Sequence, residues 1–284
     1  MTELKSLLAA LGLAASILLL ASFPRTVQAA DAEKPAAEAQ QPLPKVSIEV
    51  NIPATEITVF ENCVPLYRKP IAIGQGIHPT PEQESYIRRI EWNPWWYPPP
   101  DAEWAKDEKP TPPGPGNPLG LVKMPLSKAI LFHGTNKASS IGRPASHGCM
   151  RMFNEDATEI AWYLQGLFSE KKDQFFRELY RKNKRTTYVV SLDNPVPVKL
   201  IYKPVVARNG SLLFYPDYYH KLSKRRKAAV MEEILRQGIE AQMIDDAKVD
   251  ELVAHWPKGS TEVPIKDLLT APLPNKFSWV PECQ

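Results

Sequence analysis

Two histidines and a cysteine stand close together in this chain. His133 opens His133-Gly134-Thr135, and thirteen residues on the chain reads Ser146-His147-Gly148-Cys149-Met150-Arg151. A free thiol with a pKa of ~8.5 is mostly protonated at neutral pH, whereas a neighbouring imidazole can take its proton and release the nucleophilic thiolate. Three chemistries compete for the cluster. As zinc ligands, one cysteine and two histidines supply only three of the usual four donors, and no second Cys or His pair lies nearby. As separate buried residues, each has an ordinary structural explanation, but their coincidence in one Ser-His-Gly-Cys string then has none. As a catalytic set, one imidazole is the base, the other orients or polarises, and backbone N–H groups around Gly148 and Cys149 offer an oxyanion hole. The last reading accounts for most, and it needs neither metal nor cofactor.

These residues require elements that bring them together. The apolar run Ala129-Ile130-Leu131-Phe132 predicts a buried strand delivering His133 to a cleft at its end, and Gly134 and Gly142 permit tight turns on the way to Cys149. Asn154 reads as the N-cap of a following helix that carries Glu155 and Asp156 in its first turn. Upstream, alternation over 46–50 and 56–60, a turn at Glu61-Asn62-Cys63 and a return over 65–73 predict a β-meander. Residues 187–192 and 196–202 predict further strands. Residues 92–118 hold four tryptophans among many prolines, so they must form a long ordered loop that either walls the cleft or plugs the sheet.

Two charged segments lie outside this pattern. Residues 169–185 carry seven Lys or Arg against three Asp or Glu, which suits a solvated helical insertion or a lid that attracts anionic substrate. Residues 203–284 are expected to form a C-terminal extension, mostly helical over 222–237 and 247–256 and then irregular.

Lys5, the apolar run 7–20 and Val27-Gln28-Ala29 have the n, h and c pattern of a secretory signal peptide over residues 1–29. The run is shorter than the roughly 20 residues that span a bilayer, so no membrane span is expected once the signal is removed. A flexible linker over 30–45 leaves a domain over 46–202 followed by the extension. Export to a periplasmic or wall-associated site follows. The net charge is only +3, from 35 basic and 32 acidic residues, which gives no footprint for nucleic acid. Three cysteines leave one thiol free if Cys63 and Cys283 pair, although nothing in the sequence brings those two together.

The strings His133-Gly134-Thr135 and Ser146-His147-Gly148-Cys149-Met150-Arg151, with the cysteine 16 positions after the first histidine, resemble the signature of the YkuD-like L,D-transpeptidases. Ile73-Gly74, His78-Pro79-Thr80-Pro81, Asn117-Pro118-Leu119-Gly120 and Val196-Pro197-Val198 are similar too. The resemblance implies a mainly β fold with helical insertions, an α+β arrangement whose catalytic domain is sandwich-like or barrel-like. It also implies an acyltransferase of the cell wall. Cys149 would attack the carbonyl after the diamino acid of a peptidoglycan tetrapeptide stem, release D-Ala and hold the acyl group as a thioester. An amine of a second stem, or of a wall-anchored protein, would resolve it. On the same resemblance His133 is the general base and His147 shapes the pocket, while Ser146, Gly148, Arg151 and Gly134 support the loop, the substrate or the oxyanion. Arg151 has an alternative partner in Glu155 or Asp156. Two other functions remain compatible: an L,D-carboxypeptidase that uses water as acceptor, and a wall-binding scaffold without catalysis. The charged segment 169–185 and the Pro81-Glu82-Gln83 stretch depart from the family pattern.

Overall fold

The computed structural model describes residues 43–256 and 259–280. The expected signal peptide, most of the expected linker, and Cys283 lie outside the described residues. The strands of the main layer are β1 (Val46–Asn51), β2 (Glu56–Glu61), β3 (Val64–Pro70), β4 (Ile73–Gly74), β5 (Gln83–Trp92), β6 (Val122–Pro125), β7 (Leu131–His133), β8 (Pro144–Ser146), β9 (Met150–Arg151) and β10 (Tyr188–Ile201). Eight of them form one sheet in the order β3-β2-β1-β10-β5-β6-β7-β9, and β4 pairs with β8. Alternation makes this possible: in β1, Val46, Ile48 and Val50 point inward while their neighbours are half-exposed. Asn62 and Cys63 both take positive φ, the geometry of a tight hairpin turn between β2 and β3.

The sheet curls until its two ends meet. Ala72, just after β3, exchanges backbone hydrogen bonds of 2.8 and 3.1 Å with Arg151 in β9. That contact joins the outermost strands and leaves no open edge there. Helix α1 (Asn154–Phe168) packs against the curl through Ile160, Ala161 and Leu164, all fully buried. The strand segments expected over 187–192 and 196–202 are one strand, β10, with an irregularity between Ser191 and Val196. Pro195 lies in that gap and has no N–H to give the ladder, so the strand bulges and continues.

The segment 169–185 contains α2 (Gln174–Lys182). Its Tyr180 stacks on Trp92 at 5.2 Å and 19°, and Asn93 Nδ2 donates to the Tyr180 carbonyl at 2.9 Å. Trp92 in turn donates through Nε1 to Gln165 of α1 at 2.7 Å. This anchors the charged helix to α1 and the end of β5.

The C-terminal part has its own core. Strands β11 (Val205–Arg208), β12 (Ser211–Phe214) and β13 (Thr261–Pro264) form an antiparallel sheet, covered by α3 (Arg226–Arg236) and α4 (Asp246–Ala254). Leu212, Phe214, Val230, Ile234 and Val249 are buried between them. The sequence reading has this region as mostly helical; the structure makes it a small α+β unit. The difference comes from short strands, since β13 is four residues of largely exposed chain with no alternating signal and is held by its pairing with β12.

Candidate active site

Register is what brings His133 and Cys149 together. Strands β7 and β9 run parallel, with Phe132 opposite Met150 and His133 opposite Arg151. Extending that register by one residue sets Cys149 beside Leu131. Because side chains alternate along a strand, Phe132 and Met150 face the core, where both are fully buried. Leu131, His133, Cys149 and Arg151 therefore share the opposite face. The Cys149 thiol points at the carbonyl of Ala129 at 3.3 Å.

The Ser146–Cys149 loop is held by its own hydroxyl. Ser146 Oγ donates to the Cys149 carbonyl at 2.6 Å and accepts from the Gly148 N–H at 3.1 Å. Gly148 has φ +108, a conformation that disfavours any side chain, and an added Cβ would press on Ile130. The Gly148 N–H is thus committed to Ser146, while the Cys149 N–H has no acceptor among the described residues. From the opposite wall, Thr80 Oγ1 donates to the Gly148 carbonyl at 2.9 Å and accepts from the Gly74 N–H at the same distance. Tyr219 ties that wall down, donating to the Gly74 carbonyl at 2.8 Å and accepting from the Thr80 N–H at 3.1 Å.

His133 is oriented by the next residue. Its Nδ1 lies 2.5 Å from the Gly134 carbonyl, which can only accept, so Nδ1 carries the proton and Nε2 is left unprotonated. Gly134 has no room for a side chain, since a Cβ there would collide with Asn154 Oδ1. His147 sits in a column of rings: Trp104 lies flat on it at 3.9 Å and 3°, and His78 contacts it at 4.9 Å.

The YkuD family, described as the L,D-transpeptidase catalytic domain, matches residues 45–198. The chain belongs to this family. It is 34% identical over 115 residues to a putative L,D-transpeptidase YkuD of Bacillus subtilis, covering 40% of this chain and 57% of that one. It is 36% identical over 94 residues to a probable L,D-transpeptidase ErfK/SrfK of Salmonella typhimurium, covering 31% and 30%. A solved L,D-transpeptidase from Mycobacterium smegmatis aligns at 18% identity with a TM-score of 0.37, over 56% of this chain and 59% of that one. The chain thus spans less than two thirds of the length of the relatives it matches.

The electrostatics of this L,D-transpeptidase domain describe a neutral pair at rest. Burial lowers the His133 pKa to about 4, helped by the charges of Arg151 and Lys123 and opposed by the bond to Gly134. Burial also raises the Cys149 thiol, against the stabilising effects of the Leu131 backbone and of Arg151. His147 is lowered by burial first, then by His78 and Arg151. Arg151 is the cation whose charge favours the thiolate. It forms no ion pair among the described residues, and Asp156 instead holds Lys69 at 2.9 Å.

Three residues of the site escaped the sequence reading. Trp104 was one of four tryptophans in a loop with two possible roles, and the structure divides those roles: Trp92 plugs the core, 6% exposed, while Trp104 reaches the cleft, 39% exposed. Tyr219 lies beyond the closing strand, where nothing local marks it. Asn154 was read as a helix cap, but α1 is preceded by Phe153 with no side-chain cap. Its amide instead accepts from the Leu121 N–H at 3.0 Å and donates to the Thr135 carbonyl at 3.0 Å, locking the chain on either side of β7. Cys63 is disulfide-bonded and Cys149 is the free thiol.

Proposed function

We propose that the chain is an exported peptidoglycan L,D-transpeptidase in which Cys149 is the nucleophile and His133 the general base. The observation that carries this reading is the shared face of β7 and β9, on which a free thiol and an imidazole with an unprotonated Nε2 lie one strand apart. With both groups neutral, the proton moves as the bond forms. Cys149 Sγ attacks the carbonyl of the diamino acid, the one in amide linkage to the D-Ala of a tetrapeptide stem, while His133 Nε2 takes the thiol proton. The carbonyl oxygen becomes an oxyanion toward which the Cys149 N–H is directed, and Arg151 adds positive charge nearby. On collapse the C–N bond to D-Ala breaks, and His133 returns the proton to the departing amine. An acceptor amine then attacks the thioester, loses its proton to His133, and expels the thiolate, which is reprotonated.

His147 serves as a wall in this scheme. Stacked on Trp104 and flanked by His78, it stays neutral and, itself exposed, shapes the entrance beside the nucleophile. Mass spectrometry tests the reading in two steps. A thiol-reactive carbapenem should add its mass to Cys149 in the parent and not in Cys149→Ala. Incubation with disaccharide-tetrapeptides should release D-Ala and yield a crosslinked dimer; release of D-Ala without dimer would assign water as the acceptor, and no acylation at all would overturn the proposal.

A further inference from the structure

The charged insertion builds a cavity that the proposed transpeptidase reaction does not use. Its volume is about 270 Å³, and of its eight lining residues Arg177, Tyr180, Arg181 and Lys184 come from the segment 169–185. The floor is Trp92 and Tyr180, which are 6% and 3% exposed. Leu121 and Thr158 close the sides. No lining residue is acidic, and the three charged ones are all cations at the rim.

The polar groups at the floor are already occupied. Asn93 Nδ2 is held by the Tyr180 carbonyl at 2.9 Å, and Thr158 Oγ1 donates to the Glu155 carbonyl at 3.0 Å. The rim is different. Arg177 rests its guanidinium over the Trp162 ring at 5.5 Å, which fixes the group without consuming its N–H donors. Arg181 gives Nη1 to Glu178 at 2.8 Å, and Lys184 forms no ion pair among the described residues. Polar recognition is thus available only at the mouth, and it is cationic; the interior offers ring faces and a leucine. The volume sits below the ~300–1,000 Å³ of ordinary ligand sites, which suits a single ring or a short chain.

We propose that this cavity binds a small organic oxyanion, with its apolar body on Trp92 and Tyr180 and its carboxylate or phosphate between Arg177, Arg181 and Lys184. The site stands independently of the role given to Cys149.

Calorimetric titration with phenyl phosphate, phenylacetate, inorganic phosphate and benzyl alcohol tests it. At least one aryl anion should bind about tenfold more tightly than benzyl alcohol and inorganic phosphate, and more weakly as salt is raised. Tighter phenyl phosphate would assign phosphate esters, and tighter phenylacetate carboxylates. The double reversal Arg177→Glu with Lys184→Glu should weaken binding about tenfold or more while leaving carbapenem acylation of Cys149 intact. Thr158→Trp, which fills the cavity from α1, should abolish binding without altering the rim charge. Equal affinity in the parent and both variants, or no binding of either aryl anion up to about 10 mM, would overturn the proposal.

Discussion

The strand pair that carries His133 and Cys149 and the arm that carries Trp104 converge on the same cleft by different means. The strand pair is fixed by backbone: parallel register sets which side chains share a face, and Asn154 and Ser146 lock the turns on either side. The arm is also ordered, since Trp96 and Thr111 exchange backbone bonds and Asn117 Nδ2 gathers the Pro94, Thr111 and Pro112 carbonyls. Yet the arm touches the chemistry through one stacked ring pair. A register contact cannot slip by even one residue without turning every side chain over. A ring stack can slide, at a cost of about 0.5–1.5 kcal/mol. The strand pair should therefore set whether the reaction occurs, and the arm how well a substrate is received.

The largest effects are expected on the strand pair. Cys149→Ser should lower carbapenem acylation by roughly 10⁴-fold or more, with unchanged circular dichroism, because a hydroxyl beside a neutral imidazole is a far weaker nucleophile. His133→Ala should cost roughly 10²–10⁴-fold in the acylation rate. If His147→Ala proves the more damaging change, the two imidazoles have exchanged roles.

The His133 environment also fixes a stability profile. Its folded pKa of about 4 lies below the ordinary 6.5, so between those values the unfolded chain binds the extra proton and stability rises with pH. The contribution is complete above pH ~6.5 and is lost as pH falls toward 4, roughly 3 kcal/mol in all. Urea midpoints measured across that range should show the loss in the parent and a shallower slope in His133→Gln. Equal slopes would mean that the imidazole titrates in the folded protein as it does in the unfolded chain.

Asn154→Ala leaves the Leu121 N–H and the Thr135 carbonyl without their partner, and should destabilise the fold by about 1–3 kcal/mol. An effect that small on stability, joined to a larger loss of acylation, would place Asn154 with the strand pair. The smallest effect belongs to the arm. Trp104→Ala should change acylation only several-fold and, by exposing His147, raise its pKa, as read from the imidazole proton resonances. Trp104→Phe should restore most of the difference, and an unmoved His147 titration would show that the arm merely leans on the ring.

Much of the site was legible because its signal is local. The Ser-His-Gly-Cys string, the apolar run into His133 and the glycines around both turns state their requirements within a few residues. The same rules misread Asn154, since the residue type favoured at a helix start is also the type that best bridges two backbones. They also missed β13, four residues whose only reason to be extended is the edge of β12.

The sequence by itself determined the Ser-His-Gly-Cys string, the alternation that makes β1, β2 and β10 strands, and the family to which residues 45–198 belong. Each of these depends on spacing within a short segment, where covalent geometry relates residue number to direction. The tertiary structure decided which nitrogen of His133 is free, that Thr80 holds the Ser146–Cys149 loop at Gly148 from 68 residues away with Tyr219 bonded behind it, and that Trp92 and Trp104 part company. Those outcomes depend on the curl that brings Ala72 to Arg151 and on burial that shifts proton affinities. Closure and desolvation are properties of the packed chain, and no short segment encodes them.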